Sequence, residues 1–353
     1  MKPLYIIGSG CISPQRTFDE NYFFETVSPR VNNKLFCQEP DYTNYFDPMA
    51  VRRMSRILKF GTAAAKIALA DAAVAEPDII ATGTGLGCLT DSELFLTNIT
   101  KSNEGLVSPT AFIQSTHNTV SSLVALQIKS HKPNNTFSNR GFSFESAMLE
   151  ALMIAAEDSD AINFLIGAYD ELSDYSFDIM SRMGAFKKET YESDNFFSEG
   201  SSGVVAGEGA TYFMLSKTLS AKTYCRLFGC KMIFQPENDV VFTKSINAFL
   251  ETNRISIDDV DVVMSGISGD SKRDKILQVV NKNLFVNQTI VAFKHLCGEY
   301  MTAAAFGVWL GVNMIKRQQI PDATIIHNRN KKPNTILVCN AYKNYYSLTL
   351  LAK

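Results

Sequence analysis

The sequence of residues 203–216 is GVVAGEGATYFMLS. Its glycines predict a tight turn, and the uncharged run that follows predicts a strand. The next residues, 217–222, are polar and predict a boundary. We therefore predict an N-terminal half at residues 1–218 and a C-terminal half at residues 219–353.

Strands and helices alternate on both sides of this boundary. Short apolar runs predict strands, and longer segments with apolar residues at helical spacing predict helices. The predicted strands lie at 4–7, 78–81, 162–166, 223–230, 260–265 and 289–292, with a strand pair at 335–351. The predicted helices lie at 54–75, 144–156, 241–253, 271–281 and 300–315. Two successive sets of alternating elements predict a layered α/β fold with mostly buried sheets.

The composition excludes several classes of protein. The 353 residues include 34 Lys and Arg against 36 Asp and Glu, which gives a net charge of −2. A chain this close to neutral, without a long basic run, has no electrostatic footprint for binding DNA or RNA. With 46% hydrophobic residues it is also too apolar for a disordered chain.

The cysteine pattern and the apolar segments indicate a location. Seven cysteines are scattered without a CxxC pair, which argues against disulfides or structural zinc and fits a reducing cytoplasm. The apolar run at the start of the chain is too short for a signal peptide. The uncharged stretch Tyr300–Ile315 has 16 residues, whereas a membrane span needs about 20. We expect a cytoplasmic protein with no membrane partner, and a buried helix at that stretch.

The glycine-rich segments and the histidines carry no complete cofactor motif. Residues 83–87, GTGLG, follow a predicted strand, but Cys88 stands where a dinucleotide fingerprint requires its third glycine. Residues 203–210 lack the Lys-Ser/Thr pair of a phosphate-binding loop. None of the four histidines has metal-ligand spacing. We expect tight turns at both segments and neither a cofactor nor a metal.

Eight segments occur in the order found in β-ketoacyl synthases, and the whole chain resembles that family of the thiolase fold. The segments are Leu4–Pro14, Arg53–Arg56, Gly83–Gly85, Ser108–Asn118, Leu165–Glu171, Gly203–Leu215, Ser256–Asp261 and Lys294–Ala304. The resemblance implies a thiolase-like layered αβαβα fold made of two pseudo-repeated halves. It also implies dimers that pair across the segment containing the nucleophile.

The catalytic positions depart from the family pattern. The nucleophilic cysteine of the family falls on Gly141, its first histidine on Gly266 and its second histidine on Glu299. Of the family's catalytic side chains, Lys294 alone is retained. The Gly-Phe-Gly-Gly loop of the family falls on residues 340–343, which are Asn-Ala-Tyr-Lys, so the resemblance does not extend to the close backbone approach to substrate there.

These departures remove the groups on which the family's chemistry depends. Claisen condensation needs a thiolate that holds the acyl chain and neutral imidazoles that stabilise the developing negative charge. A carboxylate at Glu299 would oppose that charge. We expect Lys294 and Glu299, five residues apart, to form an ion pair that fills the vacated site.

An inactive ketosynthase relative of this kind resembles a chain-length factor. The resemblance then implies a silent subunit that pairs with an active ketosynthase, or with itself, and serves an acyl carrier protein in fatty-acid, polyketide or polyene synthesis. Phe142, Phe144 and Met148 follow Gly141 at spacings that fit either the lining of an acyl tunnel or the packing of a core.

Two other hypotheses remain open. Cys88 and Cys297 lie beside glycines in apparent loops, so either could be an exposed thiol that accepts an acyl group and makes the chain an acyl-thioester enzyme. Alternatively, the chain could be an acyl-binding or regulatory homodimer without a ketosynthase partner.

Overall fold

A computed structural model of the protein describes residues 3–28, 33–157, 160–187, 196–197 and 202–353. Its strands are β1 (Leu4–Ile12), β2 (Lys34–Leu35), β3 (Ile79–Gly83), β4 (Asn134–Phe137), β5 (Asn163–Asp170), β6 (Ala206–Gly207), β7 (Gly209–Ser216), β8 (Cys225–Phe234), β9 (Val262–Ser265), β10 (Thr289–Ala292), β11 (Ile325–His327), β12 (Thr335–Tyr342) and β13 (Tyr345–Ala352). Its α-helices are α1 (Pro48–Val51), α2 (Arg56–Ala72), α3 (Leu89–Lys101), α4 (Thr110–Gln114), α5 (Thr119–Gln127), α6 (Ser143–Glu157), α7 (Asp174–Arg182), α8 (Asp239–Thr252), α9 (Lys275–Asn283), α10 (Lys294–Cys297) and α11 (Ala304–Arg317).

The main sheet contains the same topology twice. Among the described residues it has eleven strands in the order β11-β10-β9-β12-β13-β8-β1-β7-β5-β3-β4. The N-terminal set comprises β1, β3, β4, β5 and β7, and the C-terminal set comprises β8, β9, β10, β12 and β13. When the strands of each set are numbered in chain order, both sets lie in the sheet in the order third, second, fourth, fifth, first. In each set the second strand is parallel to the third and fourth, and the remaining pairings are antiparallel. The predicted pseudo-repeat is confirmed.

The helices form three layers around the two strand sets. Helices α2 and α5 pack on one face of the N-terminal set, where Phe60 and Val120 meet Leu165. Helices α6 and α11 lie between the two sets in the largest hydrophobic cluster. Helices α8 and α9 cover the far face of the C-terminal set, where Phe242 and Leu277 meet Val263. The helix–sheet–helix–sheet–helix order is the predicted αβαβα layering.

Strand β1 continues past the glycine at which we predicted its end. A Cβ atom on Gly8 would lie 2.7 Å from the carbonyl oxygen of Ala68, and one on Gly10 would lie 2.2 Å from that of Ala64. The two glycines therefore allow α2 to lie directly on β1 and do not turn the chain. The prediction that this strand stops at Gly8 was wrong.

The helix predicted at residues 300–315 begins four residues later, at Ala304. The carboxylate of Asp170 accepts hydrogen bonds from the backbone N–H of Thr302 at 3.0 Å and from its hydroxyl at 2.8 Å. These bonds hold the preceding turn outside the helix. No helix in the described part of the chain has the length and apolar character needed to cross a bilayer.

The boundary predicted between residues 218 and 219 lies in the connection between β7 and β8. Strands β1 and β8 pair there over Leu4–Ile6 and Cys225–Leu227. The division into an N-terminal and a C-terminal unit at that boundary stays a prediction.

Candidate functional site

Several segments that are far apart in the sequence meet around buried carboxylates. Asp170, at the end of β5, accepts a hydrogen bond from the backbone N–H of Gly85 at 2.8 Å and also binds Thr302. Glu208 accepts two hydrogen bonds from the guanidinium of Arg56, one of them at 2.7 Å. These contacts join five of the eight segments on which the sequence resemblance rests.

The turn between β4 and α6 lies where a nucleophile is expected. Arg140 has a left-handed backbone, with φ of 48°, and residues Arg140–Phe142 form one turn of 3-10 helix. Ser143 closes the turn, because its Oγ accepts from the N–H of Asn139 at 2.9 Å and donates to the carbonyl of Arg140 at 2.8 Å. No residue from Ser138 to Phe144 has a thiol side chain.

Aromatic rings occupy the space above Gly141. A Cβ atom on this glycine would lie 2.7 Å from Cβ of Tyr345 and 3.1 Å from Cδ1 of Tyr342. The rings of Phe142 and Tyr345 also pack edge to face, with centroids 4.9 Å apart. A cysteine at position 141 therefore does not fit unless the tyrosines move.

Both tyrosines come from the hairpin that joins β12 and β13. Tyr342 and Tyr345 pair across the two strands, and the two-residue turn between them includes Lys343 with a left-handed φ of 52°. The resemblance places the family's glycine-rich loop at this hairpin. Bulky side chains lie there, as the residues Asn-Ala-Tyr-Lys at 340–343 led us to expect.

Lys294 and Glu299 form the ion pair that the sequence predicted. The Nζ atom of Lys294 donates to both carboxylate oxygens of Glu299, at 2.8 and 2.9 Å, and to the carbonyl of Ala341 at 2.5 Å. The side chains are 1% and 5% exposed. Burial raises the pKa of Glu299, and the charge of Lys294 opposes that rise.

Gly266, to which the resemblance assigns the family's first histidine, directly follows β9 and is packed against β12. A Cβ atom on this glycine would lie 2.8 Å from Cα of Asn340 and 2.7 Å from its Oδ1. Backbone at this distance cannot yield as a flexible side chain would, so an imidazole does not fit here either.

The structure also brings Glu145 to the buried side of α6, one helical turn after Gly141. Glu145 is 1% exposed, and its two carboxylate oxygens have no hydrogen-bond partner among the described residues. Burial raises its pKa to about 7, while the nearby Ser347 hydroxyl and the charge of Lys294 oppose the rise. The sequence contained a signal for this burial. Glu145 lies three residues before Met148 and seven before Leu152, which places all three on the same face of the helix.

Cys88 and Cys297 are not exposed thiols, so that expectation was wrong. Both are 0% exposed. Cys88 precedes the first turn of α3, Cys297 ends α10, and burial raises the pKa of both thiols. A buried thiol with a raised pKa has little thiolate to attack an acyl group. The hypothesis of a substitute nucleophile stays untested, but the exposure of the two thiols, on which it was based, is not observed.

The candidate tunnel residues pack in the core or against the hairpin. Phe144 and Met148 are 0% exposed and belong to the central cluster between the sheets. Phe142 lies against Tyr345. Four of the cavities that the described residues form have volumes of about 270 to 760 Å³, and none of these four is lined by Phe142, Phe144 or Met148. Their role as tunnel lining stays a prediction.

Comparisons with known proteins agree with this geometry. Residues 30–187 match the family model described as "Beta-ketoacyl synthase, N-terminal domain". The structure superposes on that of the ishigamide ketosynthase/chain length factor with a TM-score of 0.81 and 16% identity, over 100% of this chain and 99% of that chain. A search of curated proteins found no matching sequence.

Two further solved structures are similar over essentially the whole length. A beta-ketoacyl synthase from Burkholderia phymatum STM815 has a TM-score of 0.75 and 18% identity, with 100% of both chains covered. A type II polyketide synthase ketosynthase in complex with its acyl carrier protein has the same score and identity, with 99% of both chains covered.

These likenesses define the fold of the protein. At 16–18% identity the solved structures show the fold, and the family model covers the N-terminal region. The chain has the thiolase-like ketosynthase fold, and the predicted resemblance to β-ketoacyl synthases is confirmed. The family model supports it for residues 30–187, and the fold supports it for the whole chain.

Proposed function

We propose that the chain is a catalytically silent ketosynthase-like subunit of the chain-length-factor type, which pairs with an active ketosynthase. The observation that carries this proposal is the filled space at Gly141. A Cβ atom there would lie 2.7 Å from Tyr345, so the site has room neither for a nucleophile nor for the acyl chain that it would carry.

The rest of the site supports the same proposal. Condensation generates negative charge that a ketosynthase must stabilise with positioned hydrogen-bond donors. Here the Nζ of Lys294, a possible donor, instead donates hydrogen bonds to Glu299 and to the carbonyl of Ala341. Glu299 adds a carboxylate where the charge would develop. The retained lysine therefore neutralises a neighbouring carboxylate.

The proposed pairing surface is the free edge of β4. This strand ends the sheet and pairs only with β3 among the described residues. Helices α5 and α6 both contact β4, and each has an exposed apolar residue, Leu126 at 72% and Met153 at 47%. An open strand edge beside apolar side chains is a surface that a partner would cover.

The partner and the pathway are part of the proposal. One similar structure is named as a ketosynthase/chain length factor and another as a ketosynthase in complex with an acyl carrier protein. By analogy, this chain would complete a dimer that receives acyl chains from a carrier protein in fatty-acid, polyketide or polyene synthesis. Its seven free cysteines fit a reducing cytoplasm.

The pairing can be tested by mixing the chain with a ketosynthase that has intact Cys-His-His residues and is encoded beside it. Light scattering after size exclusion should give one stable heterodimer, and the heterodimer should yield a product of different length from the ketosynthase alone. Leu126→Glu with Met153→Glu should abolish pairing. Leu219→Glu should not, because this residue is also exposed, at 61%, but lies between β7 and β8. A chain that never associates with the ketosynthase would refute the proposal.

A further inference from the structure

A cavity of about 420 Å³ lies at the outer edge of the C-terminal strand set, between α9, β10 and β11. Its volume falls in the range of roughly 300–1,000 Å³ that small-molecule sites occupy. Its lining residues include none from the turn at Gly141, from the Lys294–Glu299 pair or from the hairpin between β12 and β13. The cavity is therefore separate from the emptied catalytic site.

The walls of this cavity are apolar. Ile267, Phe285 and Ile290 are 5%, 1% and 6% exposed and form the inner part. Val286 and Ile326 are 53% and 43% exposed and lie at the opening. Apolar side chains at both the floor and the opening favour an elongated hydrocarbon group over a compact polar ligand.

The polar lining residues near the opening are cationic or neutral. Lys282, His327 and Arg329 line the cavity, and no Asp or Glu is among its described lining residues. Arg329 is held in place because its Nε donates to the carbonyl of Val286 at 3.0 Å. Neither its Nη atoms nor Lys282 has an ion-pair partner in the described part of the chain. This opening is complementary to one anionic group.

We propose that this cavity binds a medium-chain fatty carboxylate, whose chain fills the apolar interior and whose carboxylate lies at Lys282 and Arg329. The site takes a free acid and makes no covalent bond with it. It does not depend on pairing with a ketosynthase.

The proposal is tested by calorimetric titration of the protein alone with decanoate and decan-1-ol. Decanoate should bind saturably, and decan-1-ol more weakly. Lys282→Ala with Arg329→Ala should weaken decanoate binding by about tenfold or more, and Val286→Trp should block the opening. Lys244→Ala, at an exposed position on α8, should bind as the unmodified protein does.

Thermal unfolding of each variant establishes that it is folded before its affinity is compared. Val286 and the two cations are exposed, so these substitutions leave the core intact. The proposal is overturned if decanoate shows no saturable binding. It is also overturned if the folded Lys282/Arg329 and Val286 variants bind decanoate as tightly as Lys244→Ala.

Discussion

The ammonium group of Lys294 lies 2.8 and 2.9 Å from the two carboxylate oxygens of Glu299, in a site where both side chains are almost fully buried. Each charge satisfies the other, and a third contact runs from Lys294 to Ala341. The resemblance to ketosynthases assigns both residues to positions that the family uses for catalysis, and this assignment stays a prediction. Its role in this protein is to keep two buried charges compensated.

Removal of one partner of this pair should destabilise the fold far more than removal of both. Lys294→Met leaves a buried carboxylate unpaired, and we expect the free energy of unfolding to fall by about 3–5 kcal/mol. Lys294→Met with Glu299→Gln should cost less than the sum of the two single variants. Urea unfolding measures all three.

The control for this prediction is the pair Lys34–Asp174, in which the nitrogen and oxygen also lie 2.8 Å apart but the Asp174 side chain is 85% exposed. Asp174→Asn should change the free energy of unfolding by no more than about 1 kcal/mol. Additive effects of the two substitutions at Lys294 and Glu299 would contradict the coupling.

Glu145 should make the stability of the protein depend on pH. In the unfolded chain this carboxyl loses its proton near its ordinary pKa of 4.5, whereas in the folded protein it keeps the proton to about 7. The folded state binds more protons between these values, so stability falls as the pH rises through this window, by about 3 kcal/mol. Unfolding by urea from pH 4 to pH 8 measures the loss.

Glu145→Gln removes this titration, because the amide stays neutral. The variant should lose stability less steeply than the parent between pH 4.5 and 7 and should be the more stable of the two at pH 8. Glu157→Gln, at an exposed position on the same helix, should retain the parent's profile. A parallel profile for Glu145→Gln and the parent would show that this carboxyl does not titrate as described.

Gly141 should not tolerate a side chain while Tyr345 is present. Gly141→Ala forces a contact of 2.7 Å with Cβ of Tyr345, and we expect it to destabilise the protein by about 1–3 kcal/mol, as overpacking does. In a Tyr345→Gly background, which removes that Cβ atom, the same substitution should cost much less. Gly311→Ala on α11 is the control, since its nearest atom is the flexible end of Leu351, 3.1 Å away. Equal costs in the two backgrounds would contradict the assignment of the clash.

The layered fold and the Lys294–Glu299 pair could be predicted from the sequence, because they depend on apolar periodicity and on a spacing of five residues. The side chains that fill the space at Gly141 could not be predicted from the sequence. Tyr345 lies 204 residues after Gly141 in the chain. The pairing of β12 with β13 places it against the turn at Gly141.

The errors in the sequence analysis have a related cause. Glycine next to Cys88 and Cys297 suggested exposed loops, but neighbouring glycines also allow close packing, and both thiols are buried. Gly8 suggested the end of a strand, whereas it allows α2 to approach β1. A glycine in a sequence is compatible either with a turn or with the close approach of another backbone segment, and only the tertiary structure shows which of the two occurs.

The central claim, that a ketosynthase scaffold has lost its acyl-accepting chemistry, is tested most directly by intact mass spectrometry. The chain and its ketosynthase partner are incubated together with an acyl carrier protein thioester. The account predicts a covalent acyl adduct on the partner and none on this chain, including its seven cysteines. An acyl adduct on any residue of this chain, formed at a rate comparable to that on the partner, would contradict it.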